Sequence, residues 1–131
     1  VIYVLGLRHG KYYVGRTPRL PDRLREHYEG KGAAWTKHYP MERLLSIKYA
    51  SQCGGAVNGA VEEKETMEWM ARYGVDNVRG GTYAQLQYEP EAMKAICKQV
   101  WGSADLCLEC GSGEHFATSC PSRRKRKKQE P

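Results

Sequence analysis

Two tyrosines, an arginine and a histidine in the first thirty residues raise the first chemical question. Tyr3 and Tyr13 stand ten positions apart, and Arg23 and His27 four apart. The residues around them put the tyrosines on adjacent strands of a hairpin and the other pair one turn apart on a helix. A tyrosine pair by itself is ordinary packing. An arginine facing a phosphate and a carboxylate holding Mg²⁺ would turn the group into a phosphodiesterase site. Metal and guanidinium would neutralise the charge that builds on phosphorus, while a phenol activates water.

A second constellation closes the chain. Cys107, Cys110, His115 and Cys120 spell C-x2-C-x4-H-x4-C across CLECGSGEHFATSC. Zinc takes four sulfur or nitrogen ligands in a tetrahedron, and this spacing lets one short loop wrap one ion. A disulfide framework fits poorly, because the chain has five cysteines and one ligand position is a histidine. A reducing compartment, nuclear or cytoplasmic, follows. Spacing and order resemble the CCHC zinc knuckle of retroviral nucleocapsid-type proteins. That resemblance implies one structural Zn²⁺ and binding of unpaired nucleic acid by base stacking, with Phe116 as the stacking residue. The other role open to Phe116 is packing against the knuckle itself. Cys97 falls on an apolar helical stripe and reads as core.

Several elements must position these groups. Residues 1–7 (VIYVLGL) and 11–15 (KYYVG) read as a hairpin across Arg8-His9-Gly10. Residues 21–29 turn helical, with Pro21 suited to a first turn and Gly30 to a stop. A Gly/Ala loop (GKGAAWTKHYP) leads to a strand over 43–49. A second helix spans 60–73, ending at Gly74, and carries Glu62, Glu63, Glu65 and Glu68. Residues 77–83 (NVRGGTY) read as a short strand or loop. A third helix covers 90–101, where Met93, Ile96, Cys97 and Val100 form a stripe.

The order VIY, then YVG, then Arg23 eight positions beyond Gly15, resembles the GIY-YIG nuclease superfamily. Agreement extends through the REH of the first helix, the GKGAAWTKHYP loop and a carboxylate-bearing second helix, over about residues 1–83. It departs at Val1, which stands for the family's glycine. The resemblance implies roles. Tyr3 would be the general base, its phenolate favoured by a metal, and Tyr13 would hydrogen-bond the nucleophile or the phosphate. Gly15 would let backbone and substrate come close. Arg23 would hold the phosphate, and His27 would hydrogen-bond near Tyr3 and the phosphate. One glutamate at the start of the second helix would hold Mg²⁺ or Mn²⁺. Glu62 shares a helical face with Trp69 and Tyr73 and is preferred, with Glu65 as the alternative. Trp35, Thr36, Lys37 and His38 sit in a loop beside the site within reach of a phosphate backbone, although Trp35 equally suits packing. Arg79-Gly80-Gly81 resembles a loop of a subgroup of these nucleases and takes no role here.

The charge layout agrees with a polyanionic partner. The chain carries a formal charge of +6. Residues 1–48 hold ten Lys/Arg against four Asp/Glu, 49–121 hold five against ten, and 122–131 hold six against one. The run Arg123, Arg124, Lys125, Arg126, Lys127, Lys128 suits a nuclear import signal or a disordered phosphate-binding arm. No apolar run reaches the ~18–20 residues that cross a bilayer, so no membrane is expected. Val1 in place of methionine suggests a fragment or processed form.

The expected architecture is α+β. A GIY-YIG-like domain over 1–88, with a three-stranded antiparallel sheet flanked by helices, precedes a helix and linker over 89–104. A zinc knuckle over 105–121 and a disordered basic tail over 122–131 follow. The expected activity is metal-dependent hydrolysis of DNA, branched or single-stranded substrates included. The rival is a non-catalytic binder of nucleic acid, RNA among the candidates, that keeps the fold.

Overall fold

The computed structural model describes residues 1–114. The chain divides into two compact units, Val1–Gln87 and Tyr88–Pro131. In the first unit, β1 (Ile2–Leu7) and β2 (Lys11–Arg16) form an antiparallel hairpin in which Tyr3 faces Gly15 and Leu5 faces Tyr13. β3 (Met41–Lys48) pairs antiparallel with the other edge of β1. β1 is therefore interior to the sheet, and all six of its residues are buried. A strand covered on both faces needs apolar side chains in both phases, which IYVLGL supplies.

The sheet has a fourth strand, which corrects the three-stranded antiparallel expectation. β4 (Val78–Gly80) runs parallel to β2, giving the order β3-β1-β2-β4. Three residues followed by a second glycine leave too little pattern to mark a strand. What holds them is Arg79, which is 2% exposed. Its guanidinium donates to the carbonyls of Val75 (2.8 Å), Val78 (2.9 Å) and Gln85 (2.7 Å) and lies 4.6 Å from the centre of the Trp35 ring. A cation in that place is satisfied by backbone oxygens and an aromatic face rather than by water.

α1 (Leu20–Tyr28) starts with proline in its first turn, and the amide of Glu29 closes it on the Arg25 carbonyl (2.9 Å). Within the expected Gly/Ala loop lies a shorter helix, α2 (Ala34–His38). The Trp35 indole anchors it by donating to the Tyr12 carbonyl at 2.8 Å. Trp35 packs with Tyr3, Leu5 and Leu7, and Leu20, Leu24 and Tyr13 close around that cluster. The alternate residues of β1 thus meet α1 and α2 on one face.

α3 (Gly59–Tyr73) packs against β2 and β4. Asn58 caps it, its side-chain oxygen accepting the Val61 amide at 3.0 Å. Towards its end Tyr73 stacks with both Trp69 and Tyr12, the Tyr12–Tyr73 ring centres lying 4.6 Å apart. In the second unit, α4 (Pro90–Ser103) is followed by a turn through Cys107 and Cys110. His115, Phe116, Cys120 and the basic run from Arg123 lie outside the described residues. Among the described residues no helix is long and apolar enough to cross a membrane.

Candidate active site

The hairpin and α1 bring four of the expected residues together. Tyr3 is fully buried, and its hydroxyl meets His27 Nε2 at 2.7 Å. The Tyr13 ring centre lies 6.3 Å from that of Tyr3 and 5.1 Å from that of His27. Gly15 stands directly opposite Tyr3, and a Cβ there would fall on the Tyr3 ring and hydroxyl. The close approach that needs this glycine is therefore that of Tyr3 itself, where the sequence reading assigned it to substrate.

Arg23, one turn before His27 on α1, donates to Glu26 at 2.6 Å. Burial opposes its charge, but hydrogen bonds to Glu26 and Tyr3 and the electrostatic influence of the two tyrosine oxygens outweigh it and keep it protonated. Burial, and then the neighbouring Tyr13, push the Tyr3 phenol well above its ordinary range, while Arg23 pulls the other way. Burial raises Tyr13 too, against the same arginine. His27 moves in the opposite sense: burial and then Arg23 lower it to about 4. Around neutral pH the site thus holds two neutral phenols, a neutral imidazole and one cation. That cation is partly open to solvent, its side chain 30% exposed.

The GIY-YIG catalytic domain model matches residues 1–66, half of the chain. The chain belongs to the GIY-YIG family. No curated protein and no solved structure matches it. The family is a nuclease superfamily, so its domain is a hydrolase fold that acts on nucleic acid, generally with divalent metal ions.

Within the GIY-YIG domain the two candidate metal ligands have different surroundings. Glu65 is buried and engaged: it accepts from Lys48 at 2.8 Å and from the Trp69 indole at 3.1 Å. Glu62, in the first turn of α3, is half-buried, and its charge acts on both Tyr3 and Tyr13. Burial raises its carboxyl, Arg16 lowers it, and Glu63 adds to the rise. Its carboxylate makes no hydrogen bond or ion pair among the described residues. A half-buried carboxylate of this kind, its charge felt at both phenols, has the donor chemistry a hard divalent cation takes. Glu62 therefore fits the ion the family implies.

The remaining expected residues separate. Trp35 and Thr36 are buried, which removes them from contact with a phosphate backbone, whereas Lys37 and His38 are exposed on α2. Thr36 instead meets His27 Nδ1 at 2.9 Å, a contact the sequence reading did not contain. Its only signal was a hydroxyl following Trp35 in a Gly/Ala loop. Outside the GIY-YIG domain, Cys107 and Cys110 lie in one tight turn. The Glu109 amide donates to Cys107 Sγ (3.4 Å) and the Gly111 amide to the Cys107 carbonyl (2.7 Å). Two of the four expected zinc ligands lie outside the described residues, and no group of three or more metal-binding side chains occurs among those described.

Proposed function

We propose that this protein is a metal-dependent endonuclease that hydrolyses phosphodiester bonds of DNA. The observation that carries the reading is the convergence of Tyr3, Tyr13, Arg23 and His27, with the charge of Glu62 felt at both phenols. Arg23, held by Glu26, binds a phosphate oxygen with its fork and stabilises the charge that grows there. Tyr13 hydrogen-bonds the nucleophile or the same phosphate. Tyr3 orients the attacking water and takes its proton. Because burial keeps Tyr3 protonated, it can accept that proton only while giving its own away. Mg²⁺ or Mn²⁺ held by Glu62 supplies further neutralisation of the phosphate when bound.

The test is cleavage of a panel of linear, branched and single-stranded DNAs and one RNA, with and without Mg²⁺. Glu62→Gln is expected to lose Mg²⁺-dependent cleavage, by ~10²-fold or more for a lost charge contact. Glu65→Gln is expected to cleave normally and to lose roughly 1 kcal/mol of stability, since its lysine partner is partly solvated. An inactive Glu65→Gln beside an active Glu62→Gln would move the metal to the other glutamate. No cleavage by the wild type, with binding intact, would favour the non-catalytic reading.

For the C-terminal part we propose a zinc knuckle on Cys107, Cys110, His115 and Cys120, with Phe116 and the basic residues Arg123–Lys128 contacting nucleic acid. The amide donated to Cys107 Sγ supports this, since such bonds stabilise a thiolate ligand. The chain is expected to bind one zinc ion, and Cys110→Ser to bind it poorly, as read by metal analysis of purified protein. Removing the six basic residues from cleavage-dead protein should flatten the salt dependence of DNA binding. Each lost phosphate contact lowers the slope of log K on log salt by ~0.9 for duplex or ~0.7 for single strands. Equal slopes would assign the tail to import or protein contacts.

A further inference from the structure

The contacts behind Tyr3 form a chain whose direction can be worked out. Tyr3 Oη meets His27 Nε2 at 2.7 Å, and His27 Nδ1 meets Thr36 Oγ1 at 2.9 Å. Thr36 Oγ1 lies 2.9 Å from the Ala33 carbonyl oxygen. A carbonyl only accepts, so the single hydroxyl proton of Thr36 is committed to Ala33. The hydroxyl can then only accept from His27, which places the ring proton on Nδ1. Nε2 is left bare, facing the Tyr3 hydroxyl. Were the hydroxyl turned towards Nδ1, two oxygen lone pairs would face each other at 2.9 Å in a buried place. His27 and Thr36 are each 1% exposed, so water offers no replacement partner.

Backbone packing holds this arrangement in place. A Cβ at Gly32 would overlap His27 Nδ1 and stand 3.0 Å from Thr36 Oγ1. The loop therefore closes over the Nδ1–Oγ1 contact at the one residue type that leaves it undisturbed. We infer that Thr36 is a positioning residue: it fixes the His27 tautomer so that Nε2 accepts the Tyr3 proton as Tyr3 takes one from water. This rests on the nuclease reading for its consequence, though not for its geometry. The water oxygen bonds to phosphorus as the ester P–O bond breaks. The water's proton moves to Tyr3 Oη, the phenol's proton moves to Nε2, and the departing oxygen is protonated from solvent. His27 returns its proton to solvent between turnovers. The lowered basicity of His27 agrees with a ring that is neutral at the start of each cycle.

The test begins with a measurement that needs no variant and no substrate. Nitrogen-15 NMR of histidine-labelled full-length protein near neutral pH distinguishes the two tautomers of His27. A protonated Nδ1 with a bare Nε2 is expected, and a protonated Nε2 overturns the inference whatever the enzyme does. Thr36→Val removes the acceptor at nearly constant volume and is expected to shift the ring towards the Nε2-protonated form. The same change should lower kcat for DNA cleavage by ~10–100-fold, within the usual range for a proton-transfer group, with KM little moved. Thr36→Ser should restore both tautomer and rate. An unchanged kcat in a folded Thr36→Val, or a lost kcat with the tautomer unmoved, overturns the positioning role. A wild type that cleaves nothing yet shows the Nδ1 proton would defeat the nuclease reading and leave the tautomer assignment standing.

Discussion

Arg23→Ala is expected to lower cleavage by ~10²–10³-fold, about 3–4 kcal/mol of transition-state stabilisation, while the protein stays folded and bound to DNA. The fold should tolerate the change because the arginine is partly open to solvent and contacts the core only through its hydrogen bond to the Tyr3 hydroxyl. Its ion-pair partner Glu26 is a surface residue, and such pairs are worth ~0–1 kcal/mol. The site should not tolerate it. Arg23 is the cation beside both phenols, and its loss removes the influence that offsets the burial of Tyr3. Arg23→Lys should recover little, since a point charge cannot bridge a phosphate oxygen and Glu26 as the planar fork does. Single-turnover cleavage beside an equilibrium binding curve decides the matter. A folded Arg23→Ala that cleaves at the wild-type rate would remove the arginine from the mechanism.

Gly15→Ala is the second large effect expected, and it comes from one methyl group. Gly15 sits in β2 at an ordinary strand conformation, so alanine meets no backbone strain there. The obstacle is Tyr3, whose ring occupies the space a Cβ needs. Tyr3 has little freedom to yield, being packed with Leu5, Leu7 and Trp35 and bound at its hydroxyl to His27. Overpacking of this kind costs ~1–3 kcal/mol. Displacing a reacting group by about 1 Å costs ~10²-fold in rate. Both losses should appear, the first as a lower denaturant midpoint and the second as slower cleavage by the folded fraction. Adding Tyr3→Phe should return part of the stability, because the overlapping hydroxyl is gone, and none of the activity. A Gly15→Ala protein as stable and active as wild type would show that Tyr3 is held more loosely than its packing implies.

The parts of this molecule that were legible in sequence are those whose pattern is local. The hairpin follows from β-rich runs around a three-residue turn, and α1 from proline, leucine spacing and a terminal glycine. The end of α3 follows from Gly74, whereas its Asn58 cap emerges only in the structure. What could not be read depends on distant partners. β4, legible only as a short strand or loop, is settled as a strand because β2, more than sixty positions earlier, lies beside it. α2 is five residues long and owes its place to an indole bonded to Tyr12. Glu62 shares a helical face with Trp69, yet the indole bonds Glu65, and Glu62 is set apart by its position in the first turn. Periodicity tells which residues share a face, but not which neighbour covers it. The contacts of Gly15 and Thr36 were invisible for the same reason, since both answer to a side chain elsewhere in the chain.

The buried guanidinium of Arg79 also bears on the order in which the molecule assembles. Tyr3 and Tyr13 meet through a local hairpin, which forms early and cheaply. Trp35, by contrast, is bonded to β2 on one side and covered by Arg79 on the other. Arg79 arrives with β4, after the chain has passed through α3 and returned. Settling of α2 beneath that cover, and with it the Thr36 hydroxyl next in sequence, is therefore expected late in folding. On that expectation the nascent chain brings its two phenols together first and gains last the hydroxyl proposed to direct their protons. A polypeptide still being made, or one that has frayed at β4, would carry the residues of a GIY-YIG site without the hydroxyl that fixes its histidine.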